Sequence, residues 1–255
     1  MTLVEALKKF NRKERYWLIR NALGEKSGKL DLDPEFCNSL QERLSITVPK
    51  DAWWAMDYHL DWLVAALHLF NCKGERKAYK KQRNPILELV KITKEKITNK
   101  LVEVAISLVN GTQEDADFIV AFDNTLIFIE AKGDAGWDYE QLSSKIGRLQ
   151  GIEKEMHFNG LTSYFLLMAP IALQEEFLVA ELDAKMKRIH ATRPNWVFDG
   201  VNPRWLDLHI LDEHDKEVNN FDNFHRVERC DRNNDDPRIK GEYLSWEIKP
   251  PKYHT

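Results

Sequence analysis

The chain has 255 residues, of which 43% are hydrophobic and 31% are charged, a composition typical of a folded globular protein rather than a disordered one. Its formal net charge of -4 argues against nucleic-acid binding through overall positive charge and leaves room only for a local basic surface. The three cysteines have no C-x-x-C spacing, and the longest apolar stretch, near residues 52–70, is interrupted by charged residues, so we expect a cytoplasmic protein without a disulfide framework, zinc knuckle or membrane segment.

Helical patterns dominate the first part of the chain. Leu3–Leu23 carries apolar residues at i, i+3 and i+4 spacing, which predicts a helix. Asp33 followed by Pro34 is typical of a helix start, and this second helix is expected to end near Leu44. A wide apolar stripe over residues 52–70 predicts a third helix. Residues 1–70 are therefore expected to form an N-terminal helical module.

Two features of this module could carry function. Asp57 and Asp61 have the i, i+4 spacing of an acid–base pair or a metal site, but such a pair more often marks a solvated helix face. The four tryptophans are expected in the core, with a surface for a partner protein as the alternative; they are Trp17, Trp53, Trp54 and Trp62.

A basic segment follows the module. Residues 72–83 contain six basic residues and one acidic residue, and we interpret residues 71–84 as a linker. Basic clusters are most often only solvated, and phosphate contact is the alternative, which a neighbouring domain that handles nucleic acid would favour. The predicted phosphate contacts in this segment are Lys77, Lys80, Lys81 and Arg83.

The next elements are a predicted helix and a predicted strand. Asn84-Pro85 resembles a helix start, so a helix is expected from about Ile86 to Thr98, with Glu88 in its first turn. Leu101–Val109 alternates between apolar and polar residues and is followed by Asn110-Gly111, which favours a strand and a turn.

The stretch from Glu114 to Lys132 predicts a β-hairpin. Two apolar runs flank Asp123-Asn124, a pair that tolerates the backbone conformations of a tight turn. Because side chains alternate along a strand, Glu130 and Lys132 share one face, and the hairpin can bring Asp117 to the same end of the sheet. Charged groups at the edge of an apolar core are costly unless a divalent ion or a phosphate lies between them; a surface ion-pair cluster is the alternative interpretation.

Further elements complete the expected order. Asp138 can cap a helix that runs to about Glu155, and Leu161–Met168 is predicted to be a strand. Beyond Pro170 the pattern indicates a helix over residues 173–189, a strand over 205–211, and a late hairpin from 224–230 and 242–248. The order from Ile86 onwards is helix, three strands, helix, strand.

The chemistry of the hairpin suits Mg²⁺, which usually takes one or two carboxylates and fills its other positions with water and substrate phosphate. Asp117 and Glu130 supply that number, and the backbone carbonyl of Ala131 could add a ligand. Lys132 is placed to orient or help deprotonate an attacking water, or to stabilise charge on phosphorus.

Asp117 followed by Glu130-Ala131-Lys132 on the next strand, in this element order over residues 85–170, resembles the PD-(D/E)xK nuclease superfamily. The resemblance implies a restriction-endonuclease-like α/β core, with a mixed sheet flanked by helices. It also implies Mg²⁺ or Mn²⁺ held by the Asp and Glu, a water served by the Lys, a further acid from the first helix, and assistance from the second. Glu88 matches the further acid, with Glu95 and Glu103 as competitors, and Gln141 matches the assisting residue; Ala116 stands where the family's pattern has proline.

The resemblance implies a metal-dependent nuclease in residues 85–255. We expect DNA rather than RNA as its substrate, in defence, repair or mobile-element processing. Lys145 and Arg148 on the second helix are additional candidates for nucleic-acid contacts. A homodimer or a protein partner bound to the N-terminal helices would be compatible with this reading. The alternative function is a nuclease-fold binding or regulatory subunit that acts through such a partner.

Overall fold

The computed structural model of the chain describes residues 1–11, 13–22, 30–94, 101–111, 114–133, 137–156, 160–192, 194–200, 202–211, 216–218, 226–232 and 243–249. The α-helices in these ranges are α1 (Leu3–Lys8), α2 (Glu14–Ala22), α3 (Pro34–Leu44), α4 (Leu60–Asn71), α5 (Tyr139–Met156), α6 (Ile171–Glu175) and α7 (Val179–Arg188), with a 3-10 helix at Arg76–Tyr79. The strands are β1 (Trp53–His59), β2 (Ile86–Lys94), β3 (Leu101–Ser107), β4 (Asp115–Phe122), β5 (Thr125–Ala131), β6 (Thr162–Ala169), β7 (Phe198–Asp199), β8 (Asn202–Pro203), β9 (Trp205–Asp207), β10 (Ile210–Leu211), β11 (Glu217–Val218), β12 (Arg226–Arg232) and β13 (Tyr243–Lys249).

The chain forms two compact units. The first comprises Met1–Ala131, Trp137–Met168 and Phe177–Leu206, and the second comprises Lys132–Gly136, Ala169–Glu176 and Asp207–Thr255. The domain boundaries near residues 70 and 84 stay a prediction. None of the helices that the structure describes is long and apolar enough to cross a membrane.

A five-stranded mixed sheet with the order β1-β4-β5-β6-β9 forms the centre of the first unit. The pairs β1–β4 and β4–β5 are antiparallel, whereas β5 and β6 are parallel and are connected through α5. Parallel neighbours require such a crossover, because a tight turn can join only antiparallel strands. The α/β class predicted from the sequence, a mixed sheet flanked by helices, is confirmed.

The hairpin at the middle of this sheet is buried as its sequence predicts. Ile119, Val120, Leu126 and Ile127 are fully buried, so β4 and β5 are covered on both faces. Their two-residue turn places Asp123 at a φ of 44°, a conformation that Asp tolerates. The predictions of α3, α5, β3 and β6 are also confirmed, within a few residues at their ends.

The helix predicted over residues 52–70 is wrong in its first half. Trp53–His59 forms β1, whose aromatic side chains pack against β4, and α4 begins only after His59. The His59 Nδ1 atom accepts a hydrogen bond from the Asp61 N–H at 3.1 Å and caps this helix. Aromatic residues favour strands once a partner strand is present, and that partner lies about sixty residues further along the chain.

The helix predicted over residues 86–98 is also wrong, because Ile86–Lys94 forms strand β2. Leu87 and Leu89 are buried while Ile86 and Glu88 are exposed, which is the alternation of a half-buried strand. Strand β2 pairs with β3 in a two-stranded sheet, so β3 does not join the strands of the central hairpin as expected.

The remaining differences concern the lengths of elements. The single helix expected over Leu3–Leu23 is divided into α1 and α2, and the helix expected over residues 173–189 is divided into α6 and α7. The strand expected over residues 205–211 is present as β9 and β10, and the late hairpin is present as β12 and β13. The candidate acid Glu95 lies outside the described residues.

Candidate active site

The strand register brings Asp117 and Glu130 together. Phe118 pairs with Ile129, and continuing this antiparallel ladder by one residue sets Asp117 opposite Glu130 on the same face of the sheet. The Asp117 Oδ2 atom accepts a hydrogen bond from the Ala131 N–H at 2.9 Å, which fixes its carboxylate at the end of β5. The two carboxylates predicted as a pair are therefore neighbours in the fold.

Helix α5 adds an ammonium group to this pair. Lys145 Nζ forms an ion pair with Glu130 Oε2, and the Lys145 residue is only 3% exposed. The helix begins where predicted, because Asp138 Oδ1 accepts hydrogen bonds from the N–H groups of Glu140 and Gln141, both at 3.0 Å. Lys145, predicted as a contact to a nucleic-acid backbone, thus lies inside the fold beside Glu130.

A second buried network involves Arg148, one turn further along α5. Its guanidinium group donates to Glu114 Oε2 at 3.1 Å and to the Leu108 carbonyl at 3.3 Å, and it also pairs with Asp61. Arg148 is fully buried. Its side chain holds three segments of the chain together and is not exposed for the nucleic-acid contact that the sequence suggested.

Asp61 is a structural acid in this network. Its carboxylate accepts hydrogen bonds from the N–H groups of Asn110 at 3.1 Å and Gly111 at 2.8 Å. Burial alone would raise the pKa of Asp61, but these two N–H groups and the Arg148 guanidinium favour the charged form and hold the pKa below its usual value. The expected i, i+4 pair with Asp57 on a helix face is absent, because Asp57 lies on β1.

Asp57 instead lies at an irregular point of β1, beside Asp117 of β4. The pairs Met56–Phe118 and Tyr58–Ala116 flank Asp57 and Asp117, so these two acids lie opposite each other in the β1–β4 ladder. Asp57 has a φ of 48°, and its Oδ2 atom lies 3.2 Å from Arg15 Nη1. A helical interpretation of residues 52–59 hides this position, because it places Asp57 on a helix rather than on a strand beside β4.

Glu88 does not lie with Asp117 and Glu130. It lies on β2 with its side chain 85% exposed, and it pairs with Lys154 of α5 at 2.6 Å. Lys154 is nine residues after Lys145, a distance of about 13 Å along a helix. The predicted role of Glu88 as a fourth metal ligand required a helix over residues 86–98. Because Ile86–Lys94 forms β2, Glu88 instead contacts the second half of α5.

The other predicted residues lie on the surface or at the end of β5. Gln141 is exposed and one helical turn before Lys145, so both lie on the same side of α5. Lys132 directly follows β5 and belongs to the second unit, and its catalytic role stays a prediction. The basic segment is exposed around its 3-10 helix, as a phosphate-binding surface requires; its predicted contacts are Lys77, Lys80, Lys81 and Arg83.

The donor set at the end of β4 and β5 fits a hard divalent cation. Two carboxylates, Asp117 and Glu130, and the backbone carbonyl of Ala131 offer oxygen ligands, and Mg²⁺ usually fills the rest of its coordination shell with water and substrate. Within the ranges that the structure describes, no group of three or more His, Cys, Asp or Glu side chains could hold a metal ion. A metal here would therefore depend on two acidic side chains and on oxygen atoms from solvent or substrate.

Comparisons of the chain with protein-family models, with curated proteins and with solved structures find no match.

Proposed function

We propose that this chain is a metal-dependent nuclease with a restriction-endonuclease-like core, and that its substrate is DNA, with RNA as the second choice. The observation that carries the proposal is the position of Asp117, which accepts a hydrogen bond from the Ala131 N–H and lies one residue beyond the paired Phe118 and Ile129, next to Glu130 of the Glu130-Ala131-Lys132 sequence. The antiparallel series β1-β4-β5, the crossing helix α5 and the parallel strand β6 agree with the element order of the PD-(D/E)xK superfamily. Relative to that order, α4 and the β2–β3 hairpin are additional elements between β1 and β4.

Each residue of the candidate site has a distinct task in this proposal. Asp117, Glu130 and the carbonyl of Ala131 would hold Mg²⁺ or Mn²⁺, which when bound supplies Lewis-acid stabilisation of charge on the phosphodiester. The Lys132 amine would orient the attacking water or accept its proton. Gln141 would hold the substrate from the first turn of α5.

Lys145 has a separate task, because its ammonium group contacts Glu130. A positive charge at this position offsets the charge of the buried Glu130 carboxylate when no metal ion is bound. The charge can also stabilise the extra negative charge that develops on the phosphoryl oxygens during bond cleavage.

The alternative function, a regulatory subunit that binds a partner through the tryptophans of the N-terminal region, has little support. Trp53 and Trp54 are each 8% exposed, and the Trp54 indole N–H donates to the Leu30 carbonyl at 2.9 Å. These two tryptophans are core residues, as the sequence analysis favoured.

The proposed function is tested by incubating the purified protein with plasmid, single-stranded DNA and RNA in Mg²⁺ or Mn²⁺, alongside the variants Glu130→Ala and Lys132→Ala. We expect cleavage by the natural protein that stops when the metal is chelated, and strongly reduced cleavage by both variants. Equal cleavage by all three proteins would contradict the proposal.

A further inference from the structure

A cavity of about 320 Å³ lies beside the candidate site, between α5, the β2–β3 hairpin and α7. Close packing fixes its walls. A methyl group at Gly147 of α5 would lie 3.1 Å from both Ala191 Cβ and Ile189 Cδ1, so the absence of a side chain at Gly147 lets the end of α7 approach. The Val90 N–H of β2 donates to the Ile189 carbonyl at 3.4 Å and ties the hairpin to the same point.

The cavity wall combines apolar and positively charged residues. Val90, Ile106 and Ile189 provide apolar surface. Its charged residues are three cations, Lys91, Lys185 and Arg188, and two acids, Glu114 and Glu140, which gives 3 - 2 = +1 in a chain whose net charge is -4.

Both acids of the wall are already engaged. Glu140 Oε1 accepts from Lys185 Nζ at 2.8 Å and from Arg188 Nη1 at 3.2 Å. Glu114 is paired with the buried Arg148. Since Lys185 and Arg188 are held at the cavity by Glu140 and their side chains remain 25% and 46% exposed, they are ordered cations within reach of an anion.

The cavity lies close to the candidate metal ligands. Ser144 and Gln141 line it, and Ser144 is the neighbour of Lys145, which contacts Glu130. Glu114 precedes Asp117 by three residues, a distance of roughly 10 Å along an extended chain. A ligand in the cavity therefore lies next to the end of the sheet that carries the candidate metal ligands.

We propose that this cavity binds one unpaired nucleotide of the substrate strand, adjacent to the phosphodiester that is cleaved; this inference rests on the proposed nuclease function. The base would lie against Val90, Ile106 and Ile189. The amide-bearing residues Asn110 and Gln141 would contact the base edge, and Arg188 would contact the phosphate. A base that is paired and stacked within a duplex cannot lie in this pocket, so the substrate is single-stranded or locally opened nucleic acid.

The composition of the wall favours a nucleotide over simpler ligands. A purely apolar ligand would remove the hydration of three cations without replacing it, which costs free energy. Inorganic phosphate would leave the apolar part of the wall without a partner. A nucleotide has an apolar base face, a polar base edge and an anionic phosphate, which match the apolar, amide-bearing and cationic residues of the wall.

The test is calorimetric titration of the full chain with 5′-mononucleotides and with inorganic phosphate, in EDTA so that binding is measured without a metal ion. We expect at least one nucleotide to bind more tightly than phosphate. Arg188→Gln should weaken that binding about tenfold, the effect of losing one hydrogen bond to a charged group. Val90→Trp should fill the cavity and abolish binding, with folding verified by circular dichroism. The matched control is Lys187→Gln, an exposed residue of the same helical turn that does not line the cavity.

The outcomes separate this inference from the proposed function. Nucleotide binding that is lost in the Arg188 and Val90 variants but kept in Lys187→Gln supports the cavity, whether or not the protein cleaves nucleic acid. If the natural protein binds no nucleotide, binds phosphate equally well, or binds as tightly after both cavity substitutions, the inference is overturned. Cleavage that depends on Glu130 would then still support the nuclease.

Discussion

The ammonium group of Lys145 and the carboxylate of Glu130 form an ion pair within the fold, with side chains only 4% and 13% exposed. Removing either charge by mutation leaves the other charge buried and without a partner. This costs far more stability than the loss of an exposed ion pair. Glu130 is therefore both a candidate metal ligand and a residue on which the stability of the fold depends.

A double-mutant cycle measures this dependence. Lys145→Met and Glu130→Gln should each destabilise the protein, and together they should cost about 2 kcal/mol less than the sum of the single effects. The free energies come from urea unfolding. The matched control is the exposed pair Glu88–Lys154, which also joins α5 to a strand and should give nearly additive effects. Additive effects at Glu130 and Lys145 would contradict the ion pair.

Arg148 is expected to be the most sensitive position on α5. Arg148→Met removes the cation shared by Glu114 and Asp61 and should lower the free energy of unfolding by about 3 to 5 kcal/mol. Arg148→Lys should recover only part of this loss, because one ammonium group lacks the forked geometry of guanidinium. Lys154→Met on the exposed side of the helix is the control. A stability loss no larger than that of the control would show that the network does not stabilise the fold.

Asp61 should contribute to the acid sensitivity of the protein. Its pKa in the folded state is lowered, so its contribution to stability is fully present above the ordinary carboxyl pKa of about 3.9 and is lost as the pH falls through the lower folded value. Asp61→Asn should therefore be clearly less stable than the natural protein at pH 7, and the difference should narrow below about pH 4. Unfolding curves at pH 7 and pH 3 check this expectation, and a difference of equal size at both pH values would speak against it.

The backbone at Asp57 makes a separate prediction. Its φ of 48° is unfavourable for alanine, whereas Asp tolerates it and glycine adopts it freely. Asp57→Gly should consequently be more stable than Asp57→Ala by about 1 kcal/mol. Thermal unfolding of the two variants, which both lack the carboxylate and its pairing with Arg15, isolates the backbone effect. A more stable alanine variant would mean that Asp57 does not have this conformation.

The sequence was sufficient for the elements whose signals are local. The turn at Asp123-Asn124, the cap at Asp138 and the apolar runs of β4 and β5 each act within a few residues, and they predicted the hairpin and α5. The meeting of Asp117 and Glu130 followed from strand alternation alone. These were the parts of the candidate site that the sequence could supply.

Long-range pairing explains the parts that the sequence did not supply. Residues 53–59 satisfy a helical pattern, and only pairing with β4 makes them a strand. The Asn84-Pro85 signal suggested a helix, whereas the β-branched residues that follow it form β2 against β3. Both errors had consequences for the site, because they concealed the position of Asp57 opposite Asp117 and assigned Glu88 to the wrong place.

Lys145 illustrates a further limit. Its helix was predicted, but the sequence does not show which lysine of α5 turns toward the sheet, so Lys145 and Lys154 look alike. In the fold one pairs with Glu130 in the interior and the other with the exposed Glu88. The distinction arises from the placement of α5 over β5, which depends on packing over the whole unit.

Cleavage of single-stranded DNA in Mg²⁺ by the variants Glu130→Gln, Asp117→Asn and Glu88→Gln tests the proposed nuclease site most directly. All three replace one carboxylate by an amide of the same size, and Glu88 is the exposed control outside the site. We expect cleavage to fall at least about a hundredfold in the Glu130 and Asp117 variants, as when a group that stabilises transition-state charge is lost, and to be retained in the Glu88 variant. Equal cleavage by the three variants and the natural protein, each confirmed as folded, would contradict the assignment of Asp117 and Glu130 as the centre of a nuclease.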